Sequence, residues 1–448
     1  MSSLPLNRRE FIKRSAAAGA GTLLAAQLFG APHVAGSDKL RFGLIGCGGR
    51  GTGAAADALM ADRSVELIAV SDLFPDRVEA ALDQIRERLK GHLGGDSAAI
   101  ERVMKEQVKV SPSHQFSGWD NHEKLCSLAE LDYIVTATPP VFRPHVVEAA
   151  VRHGKHMFIE KPVAVDPVGV RKMYALGEQA RAKGLSVVAG TQRRYHPGYL
   201  EAFKRVQDGQ IGEIVSAQAY WLADYFVGFP LRGAEDRPTN DMEYQVRNWL
   251  LYVWGSGDHI VEQHIHNMDV VNWFVGRVPE TAYGVGGRAV EFDSQRYGDR
   301  FSHFAIEYDY GKDLLCSSIC RQEPGTKSRV SERIQGTKGT LFLNDRELEM
   351  TGSKPWSFKR TPGFVSEFVL EHKELIRSIR EGQPIDDIPD VTDSTLTMIA
   401  GRSAAYTGMQ LQTEWIKQRS QENLTPDTLE FGEVPVPELR IPGQHKLV

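Results

Sequence analysis

Cysteine is scarce in this chain: Cys47, Cys126, Cys316 and Cys320 are the only four in 448 residues. They form no C-x-x-C pair, and Cys316 and Cys320 fall in one strand-like stretch, where four residues separate them by about 13 Å. That is too far to bridge, so a disulfide framework is excluded even for an oxidising compartment. Positive charge is also in deficit, with 53 Lys and Arg against 58 Asp and Glu. Residues 1–36 hold four basic residues and one acidic one, so removing them moves the formal net charge from −5 to −8. Such a chain is a poor ligand for nucleic acid or an anionic membrane. The apolar run at residues 16–29 is well short of the roughly 20 residues a membrane-spanning helix requires. What remains, 41% hydrophobic and 25% charged residues over a length too great for one ordinary core, describes a soluble protein of two domains.

Arg8, Arg9, Lys13 and Arg14 precede that uncharged run, which is rich in Ala, Gly and Leu. The layout is that of a secretory signal, and the order Asn7-Arg8-Arg9-Glu10-Phe11-Ile12-Lys13 resembles the twin-arginine export signal, which moves folded proteins. We expect residues 1–36 to be cleaved, after Ala35 or Gly36, leaving an exported, periplasmic protein with no membrane attachment. Export of a folded chain matters most when something must be bound beforehand, so a cofactor site is expected downstream.

From Lys39 an apolar run leads into a glycine cluster and then a helix-compatible stretch. Gly46, Gly48 and Gly51 satisfy G-x-G-x-x-G, with Gly49 and Arg50 between them. A second apolar run, VELIAVSD, ends in Asp72, twenty-one residues beyond Gly51, where a dinucleotide fold places its ribose-binding acid. The glycines admit a pyrophosphate to the backbone, and the helix N-terminus beyond offers it unpaired N–H groups. Asp72 accepts from a ribose 2′-hydroxyl and repels a 2′-phosphate, which favours NAD over NADP. Further strand and helix patterns alternate up to LSVVAGTQRRYHP, the signature of a parallel sheet wound on both faces. Ligands in such sheets lie at the strands' carboxyl ends, which here carry Gly46, Asp72, Thr138, Pro139, Glu160, Lys161, Gln192 and Arg193. Residues 93–113 interrupt the rhythm and read as an inserted loop or helix extension. Past Gly212 the pattern changes to alternating strand-like stretches, a second domain with a different period. The expected division is 37–195 for the Rossmann domain, 196–415 for a substrate-binding and oligomerisation domain, and 416–448 for a tail that wraps the surface or reaches a neighbouring subunit.

The glycine fingerprint, the Glu160-Lys161-Pro162 triplet after a strand and a later acid-x-x-x-His helix together resemble the Gfo/Idh/MocA family, named for glucose-fructose oxidoreductase, inositol dehydrogenase and a rhizopine catabolism protein. The resemblance runs to about Trp415. It implies a Rossmann domain followed by an α/β domain with a largely antiparallel open sheet, whose outer face often forms a subunit interface, so a homo-oligomer is expected. It further implies that Lys161 reaches the substrate hydroxyl and the nicotinamide ribose.

GDHIVEQHIHNMDVVNWFVG is similar to the family's catalytic helix, acid-x-Gly-x-His-x-x-Asp, with Glu262 for the usual Asp, His264 for the glycine, His266 at the histidine and Asp269 at the last acid. On a continuous helix Glu262 and His266 share one face. A base is needed for the hydroxyl proton as hydride leaves carbon, and a histidine suits that task. The reading assigns His266 as general acid/base, Glu262 as its orienting or charge-stabilising partner and Lys161 as the cation polarising the same oxygen, while His264 is free to enter the site. A metal site built from His259, Glu262 and His266 is the competing reading, but no H-E-x-x-H pattern is present and no metal is expected. Arg193, Tyr195, Trp249 and Asp269 are expected to line a carbohydrate or polyol pocket at the seam between the domains. Three functions fit: an NAD-dependent oxidoreductase with tightly held cofactor, acting on a sugar, polyol or glycoside hydroxyl; an NAD-dependent glycosidase working through a transient keto sugar; and a non-catalytic NAD or sugar binder.

Overall fold

Strand β1 (Leu40–Ile45) and strand β2 (Val65–Asp72) are mostly apolar because helices cover both faces of the sheet they share, and every residue of β2 is buried. The structure, a computed structural model, describes residues 39–225, 238–289, 298–344 and 346–448. The export-signal reading lies outside them. β3 (Gln115–Ser117), β4 (Tyr133–Thr136), β5 (His156–Ile159) and β6 (Val187–Ala189) complete a parallel sheet in the order β3-β2-β1-β4-β5-β6. Strand order reverses between β1 and β4, and the crevice beyond their carboxyl ends is where such sheets bind ligands. The 93–113 interruption contains the helix Ser97–Gln107. Gln107 closes it onto the sheet by donating to the carbonyls of Leu59, Asp62 and Val65 at 3.2, 2.9 and 3.2 Å.

The second sheet is built from β7 (Ile214–Ala223), β8 (Thr281–Gly287), β9 (His303–Asp309), β10 (Leu315–Gln322), β11 (Arg329–Gly336), β12 (Gly339–Leu343), β13 (Glu347–Gly352), β14 (Trp356–Lys359) and β15 (Leu411–Gln412). Its order is β14-β13-β12-β11-β7-β10-β9-β8-β15, antiparallel except for the β7–β10 pair. β10 alternates exposed and buried residues, as a sheet with one wet face must. Cys316 and Cys320 point inward from it, and all four cysteines are buried and unpaired.

The helix Ile388–Thr407 is buried along nearly its whole length, so it lacks the one-sided pattern of a surface helix. Its start packs with Met173 and Leu176 under the first sheet, and its later turns pack with Phe304, Ile306 and Tyr308 of the second. The helix Glu367–Glu381 also comes from the second half of the chain, yet Leu375, Ile376 and Ile379 join the core around β1 and β2. Residues 367–391 therefore close the first sheet, although they lie far beyond residue 195 in sequence. The tail runs back over the surface, bonding Gln421 N to Val448 O at 2.7 Å, Leu424 N to Asp166 Oδ2 at 2.8 Å and Met242 N to Gly432 O at 2.9 Å.

Candidate active site

The turn after β1 is glycine by necessity. Gly46 has φ +94°, and a Cβ on Gly51 would stand 1.8 Å from the Gly46 carbonyl oxygen. The helix Gly49–Ala61 starts with Gly48 as its N-cap, with no side-chain cap and no acid in its first turn, so its leading N–H groups face an open approach. Gly46, Gly48, Asp72, Thr138 and Pro139 line a cleft of about 370 Å³ beyond the carboxyl ends of β1, β2 and β4. Asp72 accepts from Cys47 N at 2.7 Å and Phe74 N at 3.0 Å, which fixes its carboxylate beside the turn. Burial pushes its pKa up, with Arg77 and these two donors pulling back. An open glycine turn, a bare helix N-terminus and a fixed acid on the neighbouring strand are the parts a dinucleotide needs, so the residues present fit one.

Glu262 and Gln263 line the same cleft. Lys161, just past β5, donates its Nζ to the Glu262 carbonyl at 2.7 Å and to Glu262 Oε1 at 3.4 Å, with both side chains nearly buried. Of its three ammonium N–H bonds, one has no partner among the described residues. The single catalytic helix expected from the sequence is broken here, into His259–Glu262 and Ile265–Val275. In an unbroken helix the Glu262 carbonyl would accept from His266 N. Lys161 holds that carbonyl instead, and His266 N turns to Gln263 O at 3.5 Å. Glu262 is accordingly the partner of Lys161, and among the described residues no hydrogen bond joins it to His266.

His266 stacks on Trp221, with ring centroids 5.8 Å apart and 24° between planes. Its ring nitrogens have no hydrogen-bond partner among the described residues. Burial, then the charges of Lys161, Arg193 and Arg50, hold its pKa well below the usual histidine value. The imidazole is therefore neutral at neutral pH and able to take a proton.

Several expected site residues stand elsewhere. Asp269 takes a bidentate grip from Arg194, with contacts of 3.0 to 3.2 Å, and a bond from Ser394 Oγ at 2.8 Å. Arg193 is buried against Glu332 of β11, and the Tyr195 hydroxyl is 2.5 Å from Asp387 Oδ2. Each of the three is thus held by a partner distant in sequence, and none of them is part of the cleft lining. Arg50 lines the cleft, but its Nε is 2.5 Å from Glu160 Oε1, and Asp57 and Glu371 lie 3.2 and 3.5 Å from its other nitrogens. Burial opposes ionisation of Glu160, yet Arg50, Lys161 and Arg143 outweigh it and hold the carboxyl below its usual range. Arg50 and Glu160 thus brace the turn from behind. Gln192, Glu160, Lys161 and His266 lie outside the cleft lining, the last two reaching it only beside Glu262 and Gln263, whereas Trp249 is part of it. His264 does not enter the site: its Nε2 is 2.7 Å from Ser318 Oγ, and burial drops its pKa to about 3. Among the described residues no group of three His, Cys, Asp or Glu could hold a metal ion.

Sequence reasoning passed over Phe74, Trp119, Phe142 and Leu429, which also line the cleft. Leu73-Phe74 directly after Asp72 was the available signal for the first; the others come from loops and the tail, where no periodicity marks them.

Residues 40–189 match the model of an oxidoreductase family with an NAD-binding Rossmann fold, Gfo/Idh/MocA, and residues 204–410 match that family's C-terminal alpha/beta domain. The chain belongs to the Gfo/Idh/MocA family. It is accordingly an NAD-dependent oxidoreductase, and the matched Rossmann segment contains the glycine turn and Asp72. Among its relatives is an inositol 2-dehydrogenase of Rhizobium meliloti, 23% identical over 355 residues, covering 77% of this chain and 90% of that protein. A 2,7-anhydro-N-acetylneuraminate hydratase of Escherichia coli is 26% identical over 230 residues, covering 50% of this chain and 55% of the other. The fold is shared with aldose-aldose oxidoreductase from Caulobacter crescentus, crystallised with glycerol, at a TM-score of 0.62 and 17% identity, covering 84% of this chain and 99% of that one.

Proposed function

We propose that this family member oxidises or reduces a hydroxyl-bearing carbon of a sugar, polyol or glycoside, using NAD that it holds tightly. The observation that carries the reading is Lys161: a nearly buried ammonium held by Glu262, itself a residue of the cleft lining, with one N–H and both ring nitrogens of a neutral His266 unengaged among the described residues. The turn at Gly46 to Gly51, Asp72 and the wall at Thr138 and Pro139 hold the cofactor, which when bound supplies the hydride acceptor. Lys161 donates to the substrate oxygen and stabilises charge developing on it. A ring nitrogen of His266 takes the hydroxyl proton as hydride leaves the same carbon, and returns it in the reverse direction. Glu262 keeps the ammonium in place, and Trp249 offers an apolar face to sugar C–H groups. The inositol dehydrogenase among the relatives supports a polyol or sugar as substrate.

His266→Ala and Lys161→Met should each lower the nicotinamide absorbance change with sugars or polyols by roughly 10²-fold or more while leaving bound nucleotide intact. Full turnover in both variants would refute the assignment. A second reading is redox-neutral chemistry, in which a keto intermediate permits elimination, hydration or glycoside cleavage and the cofactor is restored in place. The hydratase relative favours it. Product formation without net absorbance change selects this reading, and a sugar that binds with neither change nor product leaves only the non-catalytic binder.

The Arg8-Arg9 segment supports export of the folded, loaded protein, which replacing both arginines by lysine should block in a fractionation assay. Val285, Ala305, Ile319 and Tyr220 form a row across β8, β9, β10 and β7, with Val285 and Ile319 65% and 37% exposed. That apolar row supports association of this face with a second copy, which native mass spectrometry tests.

A further inference from the structure

The tail beyond residue 410 lies outside the segment matched by the family's C-terminal model. It is nonetheless tied down near the cleft. Asp241 and Glu433 form a β-bridge, Val434 N bonds Asn240 O at 2.7 Å, and Gln245 Nε2 donates to Pro435 O at 3.1 Å. Val434 is buried in one cluster with Phe74, Val141 and Trp254. These anchors hold residues 429–431 against the cleft wall that includes Phe74, two residues beyond Asp72. Leu429 lines the cleft itself. The ring of Phe431 sits 5.3 Å from Trp119 and 6.1 Å from Phe74, and both of those residues line the cleft too.

Dinucleotide polarity decides what this end receives. The glycine turn takes the pyrophosphate, and the acid at the end of the second strand bonds the adenosine ribose, so the base lies beyond Asp72 and away from Lys161. We propose that the tail completes the adenosine end of the cofactor site, with Leu429 and Phe431 closing an apolar and aromatic slot whose other walls are Phe74 and Trp119, and that this cover slows release of NAD. The inference rests on the NAD reading of the cleft. It accounts for tight retention by a part of the chain that the family's Rossmann domain does not contain. Aromatic faces suit a purine, and a cover held by its own backbone hydrogen bonds must be displaced before the base can leave.

The test is nucleotide release from the full-length protein carrying Leu429→Ser and Phe431→Ser. Phe431 is 50% exposed, so its replacement spares the core, and nucleotide-free unfolding should be unchanged. Release of NAD and of ADP-ribose, followed by dilution into competitor, should speed up roughly tenfold, while release of nicotinamide mononucleotide stays as in the parent. Wild-type release rates for NAD and ADP-ribose in the double variant would overturn the tail's role and leave the NAD reading standing. Acceleration of all three ligands alike would overturn its placement at the adenosine end. A parent protein that binds neither NAD nor ADP-ribose would remove the NAD reading, and this inference with it.

Discussion

Two glycines of the same turn should fail in opposite ways when replaced by alanine. At Gly48 the backbone has φ −71° and ψ −178°, which alanine adopts without strain, and no protein atom lies within 4 Å of the added Cβ. Gly48→Ala should therefore fold with a stability within about 0.5 kcal/mol of the parent. The methyl group projects from a residue that lines the cleft, at the point where a pyrophosphate must approach the backbone. Losing one charge-assisted bond from the turn costs about 1.5–3 kcal/mol, which weakens NAD binding by roughly ten- to a hundredfold. At Gly51 the added Cβ would meet the Gly46 carbonyl oxygen at 1.8 Å, and since both are backbone the turn itself must open. Overpacking of this kind costs about 1–3 kcal/mol or more. Gly51→Ala should lower the denaturant midpoint of the nucleotide-free protein, and Gly48→Ala should not. Isothermal titration with NAD and urea unfolding without it separate the two effects. Wild-type NAD affinity in Gly48→Ala would refute the claim that phosphate sits on this turn, and wild-type stability in Gly51→Ala would refute the steric argument.

Asp72→Ser removes the carboxylate that repels a 2′-phosphate, so the ratio of NAD to NADP affinity should fall at least roughly tenfold, measured by titration of both. Arg193→Ala leaves the Glu332 carboxylate buried without its cation, and breaking such a pair costs about 3–5 kcal/mol; a rise in KM with unchanged unfolding would instead reinstate Arg193 as a substrate ligand. His372 is buried against Phe158 with both ring nitrogens unpartnered among the described residues, and burial lowers its pKa to about 4. In the unfolded chain it takes a proton near pH 6.5, so its contribution to stability is present above that pH and drains away as pH falls toward 4, at up to about 1.4 kcal/mol per pH unit. Urea unfolding between pH 7 and 4 should show the parent losing more stability than His372→Leu over that window, and parallel curves would sink the argument.

The parallel sheet was legible because each of its strands is an apolar run followed by a helix of the right length, and the glycine spacing with Asp72 located the cleft. These are local signals. The residues whose packing the sequence did not reveal are those held by a distant partner. Arg193, Tyr195 and Asp269 sit in polar clusters that look like sugar ligands, and nothing near them names Glu332, Asp387 or Arg194 as the groups that occupy them. The helix through Glu262 has an unremarkable local pattern, and at its break an ammonium 101 residues earlier takes one of its carbonyls. The tail carries no periodicity because it forms neither helix nor sheet over residues 421–448, and its contacts are made by single side chains and backbone bonds.

Those distant pairings join parts of the site that the sequence presents separately. Arg50 belongs to the helix that begins at the glycine turn, and its guanidinium holds Glu160. The next residue, Lys161, is held by Glu262 at the break between two helices. The carboxylate of Glu160 and the ammonium of Lys161 leave the strand β5 on consecutive residues, so they are fixed relative to each other by the backbone. Arg50 is thereby linked to the Lys161 ammonium through the Glu160 carboxylate and one peptide unit. Alternating charge along this line also keeps each buried ion paired, which is the condition for holding them in a site with little water. The triplet Glu160-Lys161-Pro162 thus does two things with two neighbouring charges. One is ion-paired with Arg50 of the helix after the glycine turn, and the other is the ammonium to which the proposed mechanism gives the substrate oxygen.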